Sequence, residues 1–381
     1  MSSAPRIPVS EPLLGPEELD AVERVVRSGW ISSAGQELDA FESQWAAYCG
    51  RAHGVAVSSG TTALELAVEA LDLEPGDEVI LPTFTIISCA LAVVRAGAVP
   101  VLVDADPQTW CMDVAQAAAR VTPRTRAIMP VHIYGHPCEM DPLLALAEQH
   151  GLAVIEDAAE AQGGEYFSKR GDAAGWRRCG SFGDASAFSF YANKLITTGE
   201  GGMIVTDDPA LAARVRSQRN LAFQPHRRFY HEDLGHQYRM TNLQAALALP
   251  QVARIDELLA RKRLIAAAYA DALRDVDVIQ LPVERDWARS TYWMYGVVLL
   301  DHARLDAAQF AARLAEKHIE TRPFFVGMHA QPALTERGLF QREEYPVADR
   351  LAQRGLYLPS GLTLTDAQIE RVCNAVKEIL S

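Results

Sequence analysis

Between residues 52 and 206 the chain alternates short, continuously apolar runs with segments whose apolar residues recur every three to four positions. Few folds accommodate that alternation. The spacing predicts strands at 54–59, 78–81, 100–103, 127–131 and 152–155, with helices over 62–71, through 91–94 and over 142–150. Two more apolar runs, 185–190 and 202–206, read as further strands. Strands apolar on both sides and separated by helices of about 10–15 residues need crossover connections, and so a mostly parallel sheet covered by helices. The fold class expected is therefore α/β. Beyond residue 240 a long Ala/Leu/Arg helical stretch, 241–273, contains Pro250, which is expected to kink or split it. A smaller α+β portion follows: a strand at 292–300, a helix at 307–317, and a last helix opened by the capping-box pattern Thr365-Asp366-Ala367-Gln368. The expected division is a large domain, 1–250, with an N-terminal arm, and a small C-terminal domain, 251–381. The glycine-rich, basic segment 166–180 reads as an exposed loop.

Charge narrows the partners. The chain has 36 Lys+Arg against 49 Asp+Glu, a net −13, which opposes a phosphate-coating surface, so no nucleic acid is expected. The start, Met1-Ser2-Ser3-Ala4-Pro5, lacks the apolar core of a signal peptide. The best apolar stretch, 89–103, carries Arg95, Gly97 and Pro100 and is too short to span a bilayer, so no membrane partner is expected. Six cysteines with no CxxC pair suit free thiols and a cytoplasmic location.

Three local constellations carry chemistry. Ser58-Ser59-Gly60-Thr61-Thr62 joins a strand to a helix. Such a junction is either an anion site, with free amides and the positive end of the dipole, or a plain N-cap. Asp157 ends the run Ala153-Val154-Ile155-Glu156, at the carboxyl end of a strand where open α/β sheets bind ligands. It either pairs with a cationic nitrogen or caps the next helix. Lys194, in Phe188-Ser189-Phe190-Tyr191-Ala192-Asn193-Lys194, is either a desolvated nucleophilic amine or a snorkelling surface lysine. Taken together, a phosphate cradle, a carboxylate for a pyridinium nitrogen and a Schiff-base lysine are what pyridoxal phosphate requires.

At this point the chain resembles the DegT-like sugar-nucleotide aminotransferase family, of pyridoxal phosphate fold type I. The resemblance runs through Trp30-Ile31-Ser32-Ser33, Ser59 to Leu64, Pro82-Thr83-Phe84-Thr85, Val131 to Pro137 and Glu156 to Ala161. It continues through Ser189 to Lys194, Tyr238 to Asn242, Arg322-Pro323-Phe324-Phe325 with Met328-His329, and Arg354 to Gly361. It implies that Lys194 carries the cofactor and is catalytic, that Asp157 faces the ring nitrogen and Glu160 the phenolic oxygen, and that Phe84 stacks on the ring. It also implies cofactor contacts from Gly60, Thr61, Thr62, Ser189 and Asn193. Where the family has Asn reaching the phosphate from a neighbouring subunit, this chain has Gln237, which keeps the amide and adds a methylene. His329, Arg239 and Trp30 fall in motifs near the family's substrate. The implied partners are a nucleotide-linked keto-sugar, GDP-4-keto-6-deoxymannose in the members most like this chain, and an amino-acid donor, L-glutamate. The implied assembly is a homodimer with shared sites. The segment 166–180 is longer than the family's usual link, and Lys169, Arg170, Arg177 and Arg178 either meet a nucleotide diphosphate or form a solvated surface.

The rivals have weaker signatures. His132 and His136 are four apart, but Tyr134-Gly135 and Pro137 break any helix that would align them, and His226, His231 and His236 lack completing ligands; no metal is expected. Gly199-Glu200-Gly201-Gly202 precedes a strand, unlike a dinucleotide fingerprint. A family 3-dehydratase carries His at the position of Lys194. An aminotransferase for another keto-sugar, 3-keto or dTDP- or UDP-linked, and a non-catalytic cofactor-binding regulator remain as alternatives.

Overall fold

The computed structural model describes residues 5–171, 174–224, 226–227 and 229–381. The strands of the first half are β1 (His53–Val57), β2 (Glu78–Pro82), β3 (Val99–Val103), β4 (Thr125–Ile128), β5 (Ala153–Asp157), β6 (Glu165–Ser168), β7 (Gly175–Arg178), β8 (Ala185–Ser189) and β9 (Gly202–Thr206). A seven-stranded sheet has the order β1-β9-β8-β5-β4-β2-β3. Its strands are parallel except for β9, which pairs antiparallel with both β8 and β1. Successive side chains of a strand point to opposite faces. In β1 and β9, Val55, Val57 and Ile204 enter one buried cluster, whereas Ala56, Met203 and Val205 enter another. Both faces are therefore covered, which is why these strands read as unbroken apolar runs. On the second face Trp45 presents its ring to Phe188 and Phe190, edge-on, with centroids 5.0 and 5.1 Å away.

The remaining strands are β10 (Ile279–Gln280), β11 (Ala288–Arg289), β12 (Tyr295–Leu299), β13 (Arg322–Pro323) and β14 (Gly355–Leu358). Four of them form an antiparallel sheet, β10-β12-β14-β13. The long helical stretch is two helices, Asn242–Ala253 and Ile255–Leu273. Pro250 offers no amide to the carbonyl four residues back. The chain leaves helical geometry at Arg254 (φ −117°, ψ 20°), whose guanidinium binds Glu18 at 2.9 Å and the Leu13 carbonyl at 3.1 Å. The second helix joins two cores. Ile255 and Leu258 pack with Trp45 and Phe190, while Ile265, Ala266, Tyr269 and Leu273 pack under the small sheet. The last helix, Asp366–Leu380, has the expected reciprocal cap between Thr365 and Gln368.

One expectation fails. The segment 166–180 is not an exposed loop: β6 and β7 form a hairpin, and β11 pairs on its other edge. Its arginines are engaged within the chain. Arg177 lies 4.4 Å over the Phe182 ring and Arg178 3.9 Å over Tyr48, and Arg170 binds Glu148 at 2.6 Å. Flat guanidinium groups on aromatic faces are stabilising contacts in themselves, so these three are held as structure. Residues 172 and 173 of the segment lie outside the described residues.

Glycine is required at the entry to β8. Gly183 has φ +63°, and a Cβ there would lie 2.5 Å from the Val154 carbonyl oxygen of β5. Gly183→Ala is expected to lower stability by about 2–4 kcal/mol, from left-handed strain plus overpacking. A denaturant midpoint equal to that of the parent would show that the turn relaxes freely.

Candidate active site

The carboxyl ends of β1, β2, β4, β5 and β8 lie along one edge, the position where α/β sheets take ligands. Reversed β9 brings its amino end, preceded by Glu200, to the same edge. There they surround a cavity of about 300 Å³.

One wall is the start of the helix Gly60–Glu69. Ser59 Oγ accepts from the Thr62 amide at 3.2 Å, and Thr62 Oγ1 accepts from the Ser59 amide at 3.1 Å. The amides of Gly60 and Thr61, both in the cavity wall, have no intrahelical acceptor. Ser189, at the end of β8, lies across from them. The approach is close: a Cβ on Gly60 would stand 2.7 Å from the Ser189 Cβ. Free amides, the positive end of a helix dipole and the hydroxyls of Ser59, Thr61, Ser88 and Ser189 make a cradle for a phosphate group.

Asp157, 2% exposed, closes the end of β5. Its Oδ1 accepts from the Ala159 amide at 3.1 Å and its Oδ2 from the Cys89 thiol at 3.1 Å. Burial, then the Asp157 charge, pushes that thiol well up, so it stays protonated as a donor. Glu160 accepts from the Tyr134 amide at 2.7 Å, where Tyr134 adopts φ +51°.

After β8 the chain turns, with the Lys194 amide donating to the Tyr191 carbonyl at 2.9 Å, and the lysine side chain enters the cavity. Its Nζ lies 3.8 Å from Glu160 Oε1 and 3.6 Å from the centroid of the Trp293 ring. Burial lowers the Lys194 pKa, with Glu160 and Asp157 opposing. Burial likewise pushes the Glu160 carboxyl up to about 7, against Lys194 and the Tyr134 amide. A lysine so placed is nucleophilic nearer neutrality than a surface one. Asn193 completes the wall, and its Oδ1 is buried with no hydrogen-bond partner among the described residues.

Gly60, Thr61, Asp157, Glu160, Ser189, Asn193 and Lys194 are thus brought together as expected. Thr62 is not in the wall; its hydroxyl is engaged in capping. Phe84 is also elsewhere, fully buried against Phe324, Tyr134 and Phe325 at 5.8, 6.1 and 6.2 Å. The wall position two residues on belongs to Ile86, which offers an aliphatic face where an aromatic stack was expected. His329 is outside as well. Its Nδ1 lies 2.8 Å from Thr83 Oγ1 and its Nε2 3.0 Å from Asp349, so both nitrogens are engaged. Gln237 accepts from Arg239 Nε at 2.7 Å, and neither reaches this cavity; nor does Trp30, 64% exposed. Sequence reasoning missed Trp293, Phe325 and Tyr357 as wall residues. The last two stood in recognised motifs, but nothing in the sequence said which way they point.

Pyridoxal phosphate asks for a dianion cradle, a buried acid for its ring nitrogen and a desolvated amine, and the donor set here fits it. The unsatisfied Asn193 Oδ1 and the crowding at Gly60 mark the wall as built around a guest. Fold and site together define a pyridoxal phosphate-dependent aminotransferase of fold type I. The family model of the DegT/DnrJ/EryC1/StrS aminotransferase family matches residues 12–377, and the chain belongs to that family. A GDP-perosamine synthase of Caulobacter vibrioides is 43% identical over 381 residues, covering 100% of both chains. A second, from Escherichia coli O157:H7, is 40% identical over 98% of this chain and 99% of its own. Among solved structures, DesV of S. venezuelae in complex with a ketimine intermediate superposes with a TM-score of 0.91 at 36% identity, covering 99% of each chain.

Two outcomes test this geometry. Gly60→Ala is expected to weaken pyridoxal phosphate binding at least about tenfold, roughly 1.4 kcal/mol, by pushing the cradle apart. Spectrophotometric titration reads it, and undiminished affinity would remove the cradle from the site. Glu160→Gln takes a negative charge away from Lys194, which disfavours the ammonium form. The pH midpoint for the rate of cofactor uptake should therefore move downward, and an unchanged midpoint would separate the two side chains.

Proposed function

We propose that the enzyme transfers the amino group of L-glutamate to the keto carbon of GDP-4-keto-6-deoxymannose, giving GDP-perosamine. The observation that carries the reaction is the convergence of Lys194, Asp157 and the Gly60–Thr61–Ser189 cradle on one cavity. The two GDP-perosamine synthases matching over essentially their full lengths support the substrate. We also propose a homodimer in the cytoplasm, each chain built as domains 1–250 and 251–381. In support of shared sites, Trp30, Gln237 and Arg239 lie outside their own chain's cavity, and Trp30 and Gln237 are exposed.

When bound, pyridoxal phosphate supplies an electron sink for the carbanion formed beside the reacting nitrogen. The helix-start amides of Gly60 and Thr61 and the Ser189 hydroxyl would hold its phosphate. Asp157, buried at the end of β5, would face the ring nitrogen and favour a proton there. Glu160, held by the Tyr134 amide, would face the phenolic oxygen. With the cofactor bound, Lys194 would act as the base that takes and returns the proton of the donor α-carbon, and burial lowers its pKa toward the free-amine form this needs. With the keto-sugar the same amine moves protons in the opposite order. Phe325, Tyr357 and Trp293 give that space an aromatic lining that limits water.

Incubation with L-glutamate and a panel of nucleotide keto-sugars tests the substrate, with product identified by mass and NMR. A GDP-linked 4-amino-4,6-dideoxy sugar is expected, and Lys194→Ala should yield none above background. Amination confined to a dTDP- or UDP-linked or a 3-keto sugar would replace this reading with a sibling specificity.

A further inference from the structure

Trp293 lies far from the other site residues in sequence, in the bend leading into β12, and it makes two contacts with the lysine segment. Its indole Nε1 donates to the Asn193 carbonyl at 2.8 Å. Its ring face meets the Lys194 amine, with Nζ 3.6 Å from the centroid. The ring itself is held: it is 5% exposed, and the carbonyl of Trp293 accepts from the buried Lys262 Nζ at 2.6 Å. We propose that Trp293 is a positioning residue for Lys194, with the indole N–H fixing the backbone that carries the lysine and the ring face holding the free amine in line with the cavity.

This role presupposes that Lys194 is the cofactor lysine. That side chain has four rotatable bonds, and ordering it costs side-chain entropy in every state where its nitrogen is not covalently held. Glu160 alone, at 3.8 Å, is beyond hydrogen-bond reach and leaves the amine two-sided freedom. The indole face closes the second side. An ammonium over an indole face is stabilised relative to the neutral amine, most strongly where water is excluded. The ring therefore opposes the loss of proton affinity that burial imposes, alongside the carboxylates of Glu160 and Asp157. Other titratable groups near Glu160 are the phenols of Tyr134 and Tyr357 and the thiols of Cys89 and Cys111; burial pushes both phenols and the Cys89 thiol up, so those three stay neutral. Trp293 belongs to the chain of the second sheet, so it also ties the placement of Lys194 to that sheet.

Two variants separate the contacts. Trp293→Phe keeps an aromatic face and loses the N–H; Trp293→Leu loses both. In full-length protein titrated with pyridoxal phosphate, Trp293→Leu is expected to lower the pH midpoint of cofactor uptake by about one unit, the scale of a desolvated cation–π contact. Trp293→Phe should keep the parental midpoint yet bind the cofactor about three- to tenfold more weakly, for the lost hydrogen bond. With donor amino acid, kcat should fall in both while KM for the keto-sugar changes little. Borohydride reduction of the loaded parent followed by peptide mass analysis must tag Lys194. A tag elsewhere overturns the cofactor-lysine reading and this inference with it. A Lys194 tag with Trp293→Leu matching the parent in midpoint and affinity overturns the inference alone, as does Trp293→Phe shifting the midpoint as far as Trp293→Leu.

Discussion

The site depends on a carboxylate that does not belong to it. Glu156 is fully buried one residue before Asp157, and its two oxygens accept from the Gly180 and Phe182 amides at 2.8 and 2.6 Å, the Ser186 hydroxyl at 2.9 Å and His132 Nε2 at 3.0 Å. The Cys138 amide donates to His132 Nδ1 at 2.9 Å, so Nε2 carries the proton that His132 shares with Glu156. Four donors around one buried carboxyl group satisfy both of its oxygens. They also tie the connection from β7 to β8, and the turn after β4, to the end of β5. Because side chains alternate along a strand, fastening Glu156 on one side delivers Asp157 to the other, into the cavity. Adjacent acids with opposite duties follow from a period of two.

From that anchor the chemistry is a matter of register. β5 pairs with β8 so that Asp157 stands opposite Ala187, two residues before Ser189. Ser189 of the phosphate cradle and the ring-nitrogen acid are therefore fixed by one ladder of backbone hydrogen bonds, and Lys194 returns to it by a single turn. Trp293, Phe325 and Tyr357 are carried into the wall by the second sheet and the segments flanking its strands.

The sequence was most legible where function rides on strand ends. Apolar runs located the strands, and the residues just past them, Gly60, Thr61, Asp157, Ser189 and Lys194, stand in the cavity wall. It was least legible where a turn decides direction. Past Pro82 no period says whether Phe84 or Ile86 faces the ligand, and the core took the larger ring. Thr62 has the hydroxyl of a ligand and the position of a helix cap, and the cap prevailed. The hairpin of β6 and β7 was hidden because Arg177 and Arg178 advertise solvent, whereas their partners, Phe182 and Tyr48, are recognisable only in three dimensions. Trp293 gave no local sign at all, its role being set by a contact spanning 100 residues.

The helix Ile255–Leu273 has one end set among the aromatics of the large sheet and the other beneath the small one. A rigid rod seated in two cores is a poor hinge. Swinging one sheet against the other would bend some 28 Å of helix, at about 1.5 Å per residue over its 19 residues, or pull one end out of apolar packing. The helix thus couples the two sheets, so that a change in the distance between them must be met by loss of apolar packing at one of its ends.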